Sequence, residues 1–353
     1  MTANSGGTPR LSSVLVPTAF GPKRKQICGG VWTDNASLNR HILSVGRLKN
    51  LVTDAELGSI VQTIPSAVFG GYAIDHFGHF LTESVGYLPN ALSDTSAGPL
   101  MFLAGNRKSQ HLKPWQTNLL KTLGWSNKAY IVSRSTLVRN LAIPEVSFHQ
   151  NRAPYGDAAG LRWRDRLFPE LRSADGAKIY VSRSRVEANL GRFKNEEHLE
   201  HVLRTFGYDI FHPQNHSIAE QVKVYRTASH VVLAESSAIH LINLVCSSTQ
   251  RVALIQRRPK LHSSIKRATR YFARAQIVGI DAILNFEGEK GVAWPAYRGI
   301  STVDFDQILL ALEELSFIKP STTRLKQETL KMRPLDDAAI SNNVSVLSRT
   351  WEP

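Results

Sequence analysis

His76, His79 and Glu83 recur at spacings of three and four within the run from Asp75 to Tyr87, DHFGHFLTESVGY. On a helix turning 100° per residue these side chains share one face, and Tyr87 extends the stripe. Two imidazoles, a carboxylate and a phenol suit proton transfer and the recognition of sugars or phosphates. An ordinary solvated face carries Lys, Arg, Gln or Glu instead. Phe77, Leu81, Val85 and Leu88, with Phe80 at the border, form the apolar stripe that seats the helix on a core. Pro89 is expected to end the helix near Leu88, which leaves Asn90 outside the stripe. Taken alone, the polar face reads equally well as a surface helix with satisfied histidines.

Two further sets of residues point to phosphate. An apolar strand, Lys178–Ser182, ends in Ser182-Arg183-Ser184-Arg185, and Arg192 follows. The guanidinium fork donates bidentately to phosphate oxygens. A second strand, His230–Ala234, runs into Glu235-Ser236-Ser237-Ala238-Ile239-His240, where a helix begins. Ser236 and Ser237 let backbone approach a ligand, the helix terminus presents free N–H groups, and His240 adds a ring on the first turn. Each edge alone reads also as a solvated Arg loop or an ordinary N-cap with an internal histidine. Two such edges in one sheet favour the phosphate reading. Asp304-Phe305-Asp306 spells DxD but opens an amphipathic pattern, so it reads as a helix cap. HExxH, Walker A, GxGxxG and GxSxG patterns are missing from the sequence.

The elements that position these residues are clearest in the second half. Strands near 178–182, 208–211, 230–234 and 252–255 alternate with helices over 195–206, from the capping box Ser217–Glu220 to Ala228, and after Ser237. Such alternation builds βαβ units and a parallel, doubly wound sheet, which binds ligands beyond the carboxyl ends of its strands. The first half reads as α/β, with strands at 100–104, 129–132 and 136–138 and a helix from Pro114 to Leu123 stopped by Gly124. Residues 156–171 read as the connector and the chain from Lys319 onward as a polar tail. The expected domains are 1–155, 156–300 and 301–353, the last a helix and tail.

Composition narrows the function classes. In 353 residues there are 43 Lys and Arg against 29 Asp and Glu, a net charge of +14. That balance favours an anionic partner. Arg257, Arg258, Lys260, Lys266, Arg267, Arg270 and Arg274 are the densest cluster, yet no RNP aromatics, zinc finger or basic zipper accompany it, so no specific nucleic-acid partner is expected. Cys28 and Cys246 build no disulfide framework, and Cys246 reads as a core residue. With no long apolar run, the chain is expected to be cytoplasmic, with peripheral contact to the anionic inner face of a membrane.

Taken together, the motifs resemble glycosyltransferase family 61, in its bacterial branch associated with surface and capsular polysaccharide synthesis. The resemblance rests on His76–Glu83, Lys178–Arg183, Asn195-Glu196-Glu197, Gly207-Tyr208, Ser217–Gln221, Ala228 and Ser237–His240. It implies an α/β, GT-B-like architecture with two Rossmann-like domains facing a central cleft. It further implies an inverting transferase that needs no metal or other cofactor and moves a sugar from a nucleotide sugar to a glycan or lipid-linked glycan. His79 and Glu83 occupy the family's histidine and acidic positions. Glu83 is then the expected base, with His79 as the alternative or the group that orients it, and His76 beside them. Arg183, Arg185, Arg192, Ser236, Ser237 and His240 are the expected donor and phosphate contacts. Two departures stand out: His76 replaces a frequent Asn, and Glu235-Ser236-Ser237 replaces a glycine-containing turn. The second motivates an alternative, a nucleotide-sugar-binding or scaffold protein that has kept the fold and lost transfer.

Overall fold

The computed structural model describes residues 10–20, 27–33, 50–51, 60–93, 98–105, 111–151, 153–172, 176–187, 190–287 and 298–320. The Ser/Gly/Thr-rich N-terminus and most of the expected polar tail lie outside them. The chain divides into two compact units, Met1–Pro169 and Glu170–Pro353. Among the described residues no helix is long and apolar enough to cross a membrane.

In the first unit, β1 (Arg10–Phe20), β2 (Ile27–Thr33), β3 (Asn50–Leu51), β4 (Gln62–Ala73), β5 (Leu100–Ala104), β6 (Ala129–Ile131) and β7 (Thr136–Ala142) form one sheet. Its order is β3-β2-β1-β7-β4-β5-β6. The stretch β7-β4-β5-β6 is parallel, as a Rossmann-like half requires. The sheet as a whole is mixed, because β1 runs antiparallel to both β2 and β7. Too few residues separate Phe20 from Ile27 for the crossover that a parallel pair needs. Every residue from Ala67 to Ala73 is buried, as expected of a strand inside a sheet covered on both faces.

Three helical segments follow these strands. The composite α1 runs from Phe77 to Ala91, α2 is Pro114–Thr122 and α3 is Ala158–Leu167. Residues 156–171, expected as a connector, thus carry a helix of the first unit. Asp157 caps it by accepting from the backbone N–H groups of Ala159 and Gly160 at 2.9 and 3.2 Å. Trp163 anchors it, fully buried with its ring 5.9 Å from that of Phe148. Because β4 and β7 are parallel neighbours, the segments that follow them leave the sheet from the same edge. One is α1 and the other is the loop from 143 to 157.

The second unit holds the four expected strands and adds a fifth, β12, that was not expected. β8 (Gly176–Val181), β9 (Tyr208–Phe211), β10 (Ala228–Ala234), β11 (Arg251–Ile255) and β12 (Gln276–Ile280) are all parallel, in the order β12-β11-β10-β8-β9. The helices are α4 (Glu196–Thr205), α5 (Ile218–Thr227), α6 (Ala238–Val245), α7 (Ser263–Phe272) and α8 (Phe305–Glu314). Tyr180, Val232, Ala234, Ala253 and Ile255 pack on one face with Leu199 and Leu203 of α4 and Leu309 and Leu312 of α8. Alternate residues Val231, Leu233, Val252 and Leu254 are buried on the other face, where α5, α6 and α7 pack side by side. Helices on both faces make the sheet doubly wound. A hairpin, β13 (Ile283–Glu287) with β14 (Ile300–Val303), completes the unit.

Two local readings hold in side-chain detail. Ser217 and Glu220 form a reciprocal capping box, the Ser217 hydroxyl accepting from Glu220 N at 3.2 Å and the Glu220 carboxylate from Ser217 N at 2.7 Å. Asp304 of the DxD is the N-cap of α8 and accepts from Gln307 N at 3.0 Å. Cys246 is buried, and burial pushes its thiol up to about 12.

Candidate functional site

The polar stripe of the sequence sits on an irregular helix. α1 begins as an α-turn at Phe77–His79, widens to a π-turn over Phe80–Ser84, tightens to 3-10 over Val85–Tyr87 and resumes as α at Leu88–Ala91. The Val85 N–H reaches five residues back to the Phe80 carbonyl, and Leu88 N donates to Val85 O. The second bond explains why Pro89 does not end the helix. In a regular α-helix Val85 O would await the N–H that proline lacks, but here Leu88 supplies one and Pro89 sits in the first turn of a new segment. Wide turns of this kind recur at functional sites.

This irregularity redistributes the expected face. His76 is not on the helix but caps it, its Nδ1 accepting from His79 N at 3.3 Å, with the two rings 4.7 Å apart. Tyr87 leaves the stripe altogether. It is buried edge-on to Phe69 at 5.6 Å, and burial raises its phenol far above the ordinary value. Asn90, which the stripe excluded, donates to Glu145 O and to the Ser147 hydroxyl, both at 2.9 Å. His79 and Glu83 remain together: His79 Nδ1 is 2.8 Å from Glu83 Oε1.

Two residues that sequence reasoning missed complete this cluster. The loop after β7 docks on α1 through Ser147 N to Gly86 O and Gln150 N to Thr82 O, each at 2.9 Å. The Gln150 side-chain amide then donates to Glu83 Oε1 and lies 3.0 Å from His79 Nδ1, while Thr82 Oγ1 is 3.2 Å from Gln150 Oε1. His149 accepts from Asn151 N on Nδ1 at 3.1 Å, so its proton is on Nε2, 3.8 Å from Glu83 Oε2. Glu83 is 7% exposed and His79 29%. The carboxylate therefore lies behind the imidazole, with donors around it, and the imidazole faces outward.

In the second unit the chain passes from β8 outward to β9 and then returns across β8 to β10. The order reverses between β8 and β10, the switch point where open α/β sheets leave a crevice at their carboxyl ends. These are the two strands whose ends the sequence singled out. Ser236 and Ser237 are half-buried there at the start of α6, Ser236 Oγ accepting from Ala238 N at 3.3 Å. His240 is buried one turn further on. Arg185 is exposed on the turn after β8, and Arg192 is half-buried.

Arg183 makes a different use of its fork than the sequence suggested. Its Nη2 donates to Leu190 O and Gly191 O at 2.6 and 2.9 Å and its Nε to Gly191 O at 3.1 Å, which ties down the loop beyond the strand. Two acids of α4 turn inward beneath it. Glu196 accepts from Tyr180 OH, Ser182 Oγ and Arg183 N, and Glu200 from Ser182 Oγ and Ser184 Oγ. Burial raises the Glu196 carboxyl above its ordinary value. For Glu200 burial is outweighed, chiefly by the Ser184 and Ser182 hydrogen bonds, and its carboxyl is lowered.

Arg257 and Arg258, at the end of β11, join Arg183 at this edge. Arg257 is buried, donating to Gly299 O at 3.1 Å, and burial followed by repulsion from Arg183 brings it down to about 10. Arg258 forks onto Glu235 Oε1, while Glu235 Oε2 accepts from Arg257 N and Arg258 N at 3.0 and 3.2 Å. The unusual Glu235 thus points into the protein, fully buried and paired. The basic cluster from 257 to 274 is accordingly not one surface: Arg257 and Arg258 belong to the sheet edge, and Arg274 pairs with Glu170 at 3.3 Å.

A family model, Glycosyltransferase 61, matches residues 77–254, from the first residue of α1 into β11 and half of the chain. The chain belongs to glycosyltransferase family 61. No curated protein matches it. The matched stretch includes His79, Glu83 and Gln150 of the first unit and the carboxyl ends of β8 and β10 in the second, whereas Arg257 and Arg258 lie just beyond it.

Proposed function

We propose that this family 61 glycosyltransferase is inverting and uses no metal, moving a sugar from a nucleoside diphosphate to a hydroxyl of a glycan or lipid-linked glycan. The arrangement of His79 in front of Glu83 is the observation that carries the reading. With Nδ1–H donating to the carboxylate, the Nε2 lone pair of His79 is free to take the acceptor's proton. Glu83 orients the ring and stabilises the imidazolium that forms, the logic of a carboxylate–histidine pair. This assigns the base to His79 and the supporting role to Glu83. The acceptor oxygen forms its bond to the anomeric carbon as the bond to the diphosphate oxygen breaks on the opposite face.

The leaving diphosphate gains negative charge, and the β8–β10 switch point supports a site for it. Arg183, Arg185, Arg192, Arg257 and Arg258, with the backbone N–H groups at Ser237, supply positive charge there. The net charge of +14 supports an anionic setting, such as a lipid-linked acceptor at the cytoplasmic face of a membrane during surface polysaccharide synthesis. A thermal-shift screen of nucleoside diphosphates and their sugars tests the donor class, since a true donor raises the melting temperature by mass action. Transfer or hydrolysis of the stabilising sugar nucleotide supports the enzyme. Tight binding without turnover supports a binding protein instead.

A further inference from the structure

We infer that Glu200 is a positioning residue for the donor: through Ser184 it sets the turn that presents Arg185, an inference that rests on the diphosphate reading of the β8–β10 edge. β8 hands the chain to a tight turn in which Val186 N donates to Arg183 O at 3.1 Å. Two neighbours in that turn face opposite ways. Ser184 is buried and Arg185 is exposed. Beneath them Glu200, 4% exposed on α4, accepts on Oε1 from the Ser184 hydroxyl at 2.5 Å and from the Ser182 hydroxyl at 2.7 Å. Ser182 Oγ in turn accepts from Ser184 N at 3.0 Å. One carboxylate oxygen thus gathers the residues on either side of Arg183.

Backbone bonds alone leave such a turn free to roll. Ser182 N reaches Phe211 O at 3.0 Å and fixes the end of the strand, but the bond from Val186 N lies within the turn itself. The bond from Ser184 to Glu200 ties the turn to a helix instead. A buried hydroxyl and carboxylate that satisfy each other are not readily parted. With Ser184 held inward, its successor is directed outward, and the Arg185 guanidinium meets solvent. Among the described residues nothing pairs with that guanidinium, whereas the Arg183 fork is largely spent on Leu190 O and Gly191 O. Arg185 is therefore the arginine of this turn left to grip a phosphate bidentately. A guanidinium on a fixed turn gives up less freedom when it meets the anion, so the clamp raises affinity without touching the ligand. Glu200 has other neighbours, Arg204 Nη2 at 3.4 Å and His212 Nε2 at 3.7 Å, so it is not stranded when Ser184 is changed.

The test is a double-mutant cycle on the full-length protein, with inorganic pyrophosphate as the calorimetric probe and a melting curve for each variant. Ser184→Ala removes the clamp from the side of the turn and leaves Glu200 with Ser182 and Arg204. Ser184→Ala and Arg185→Gln are each expected to weaken pyrophosphate binding about 10-fold, the scale of one hydrogen bond to a charged group. The double variant is expected to bind no more weakly than Arg185→Gln alone, because without the guanidinium the turn has nothing to present. Losses that multiply to about 100-fold would mark a merely structural clamp and overturn the inference, as would wild-type affinity in Ser184→Ala. From the other side, Glu200→Gln keeps an oxygen that accepts from both hydroxyls and is expected to bind more tightly than Glu200→Met. The reverse order in folded variants also overturns it, and if Glu200→Met does not fold the Ser184 cycle decides. Undiminished affinity in Arg185→Gln would instead remove Arg185 from the phosphate site and the inference with it. That failure of the donor reading shows in the single Arg185 variant, so it is separable from a failure confined to Ser184→Ala.

Discussion

Gly86 and Phe148 approach so closely that a methyl group on Gly86 would stand 1.9 Å from the Phe148 carbonyl oxygen. The contact joins α1 to the loop carrying His149 and Gln150, and only a residue without a side chain permits it. Gly86→Ala is therefore expected to push that loop away, destabilising the protein by about 1–3 kcal/mol or more and removing most transfer. Gly279 serves as the control, since a methyl there meets nothing within 4 Å. Melting curves and activity of the two alanine variants check the contrast. Equal behaviour would rule out the close approach as the reason for Gly86.

His79→Gln and Glu83→Gln are both expected to lower kcat by roughly 10²–10⁴-fold, because the pair acts as a unit. Donor affinity by calorimetry is expected to stay near wild type in each. Retained turnover in His79→Gln would remove it as the base, and retained turnover in Glu83→Gln would remove the carboxylate from the mechanism.

Arg258 and Glu235 form a buried pair in the second unit. Arg258→Met strips Glu235 of its guanidinium and is expected to cost roughly 3–5 kcal/mol, the range for a buried charge left without its partner. Arg258→Met combined with Glu235→Gln is expected to recover most of that loss, because the amide oxygen still accepts the two backbone N–H bonds. Urea titrations of the single and double variants measure the coupling.

Arg183→Ala is expected to weaken nucleotide binding and also to release the loop at Leu190 and Gly191, whose carbonyls it holds. Calorimetry should show reduced affinity for nucleoside diphosphates. Unchanged affinity would count against a phosphate site at the β8–β10 edge.

Acid is expected to destabilise the protein in two steps. His212 is lowered from 6.5 by burial first, with Arg185, Arg204 and His216 adding repulsion and Glu200 opposing them; His230 is lowered for the same leading reason. The unfolded chain then binds more protons than the folded one just below pH 6.5, so stability falls as pH drops through that window. Glu200 is lowered as well, so the stability it contributes is present above its unfolded value and lost on further acidification. Melting temperatures of wild type and His212→Gln across this range should show a shallower first step in the variant.

The second unit was the more legible half for a physical reason. Its central strands β10 and β11 are largely buried and read as apolar runs, and its helices carry local start signals such as Ser217 with Glu220. Parallel βαβ units also announce where ligands sit, so Arg183 and Ser237 were found at the strand ends that flank the switch point. Roles set by long-range contacts were hidden. Nothing near Gln150 indicates that it meets Glu83, and Tyr87 looked like a fourth member of the stripe because a π-turn has no periodicity signature. Glu196 stood out only as part of the Asn195-Glu196-Glu197 motif, and nothing local indicates that Tyr180, Ser182 and Arg183 draw it inward.

The parallel pairing of β4 with β7 has a consequence for how the protein comes into being. Glu83 is translated long before Gln150, and the strand that delivers Gln150 must first slot in beside β4. The contacts of Gln150 and His149 with Glu83 can therefore form only once the chain through Gln150 has been made and β7 has paired. A nascent or truncated chain lacking β7, the last strand of that sheet in chain order, would carry His79 and Glu83 without the partners that the following loop brings to them.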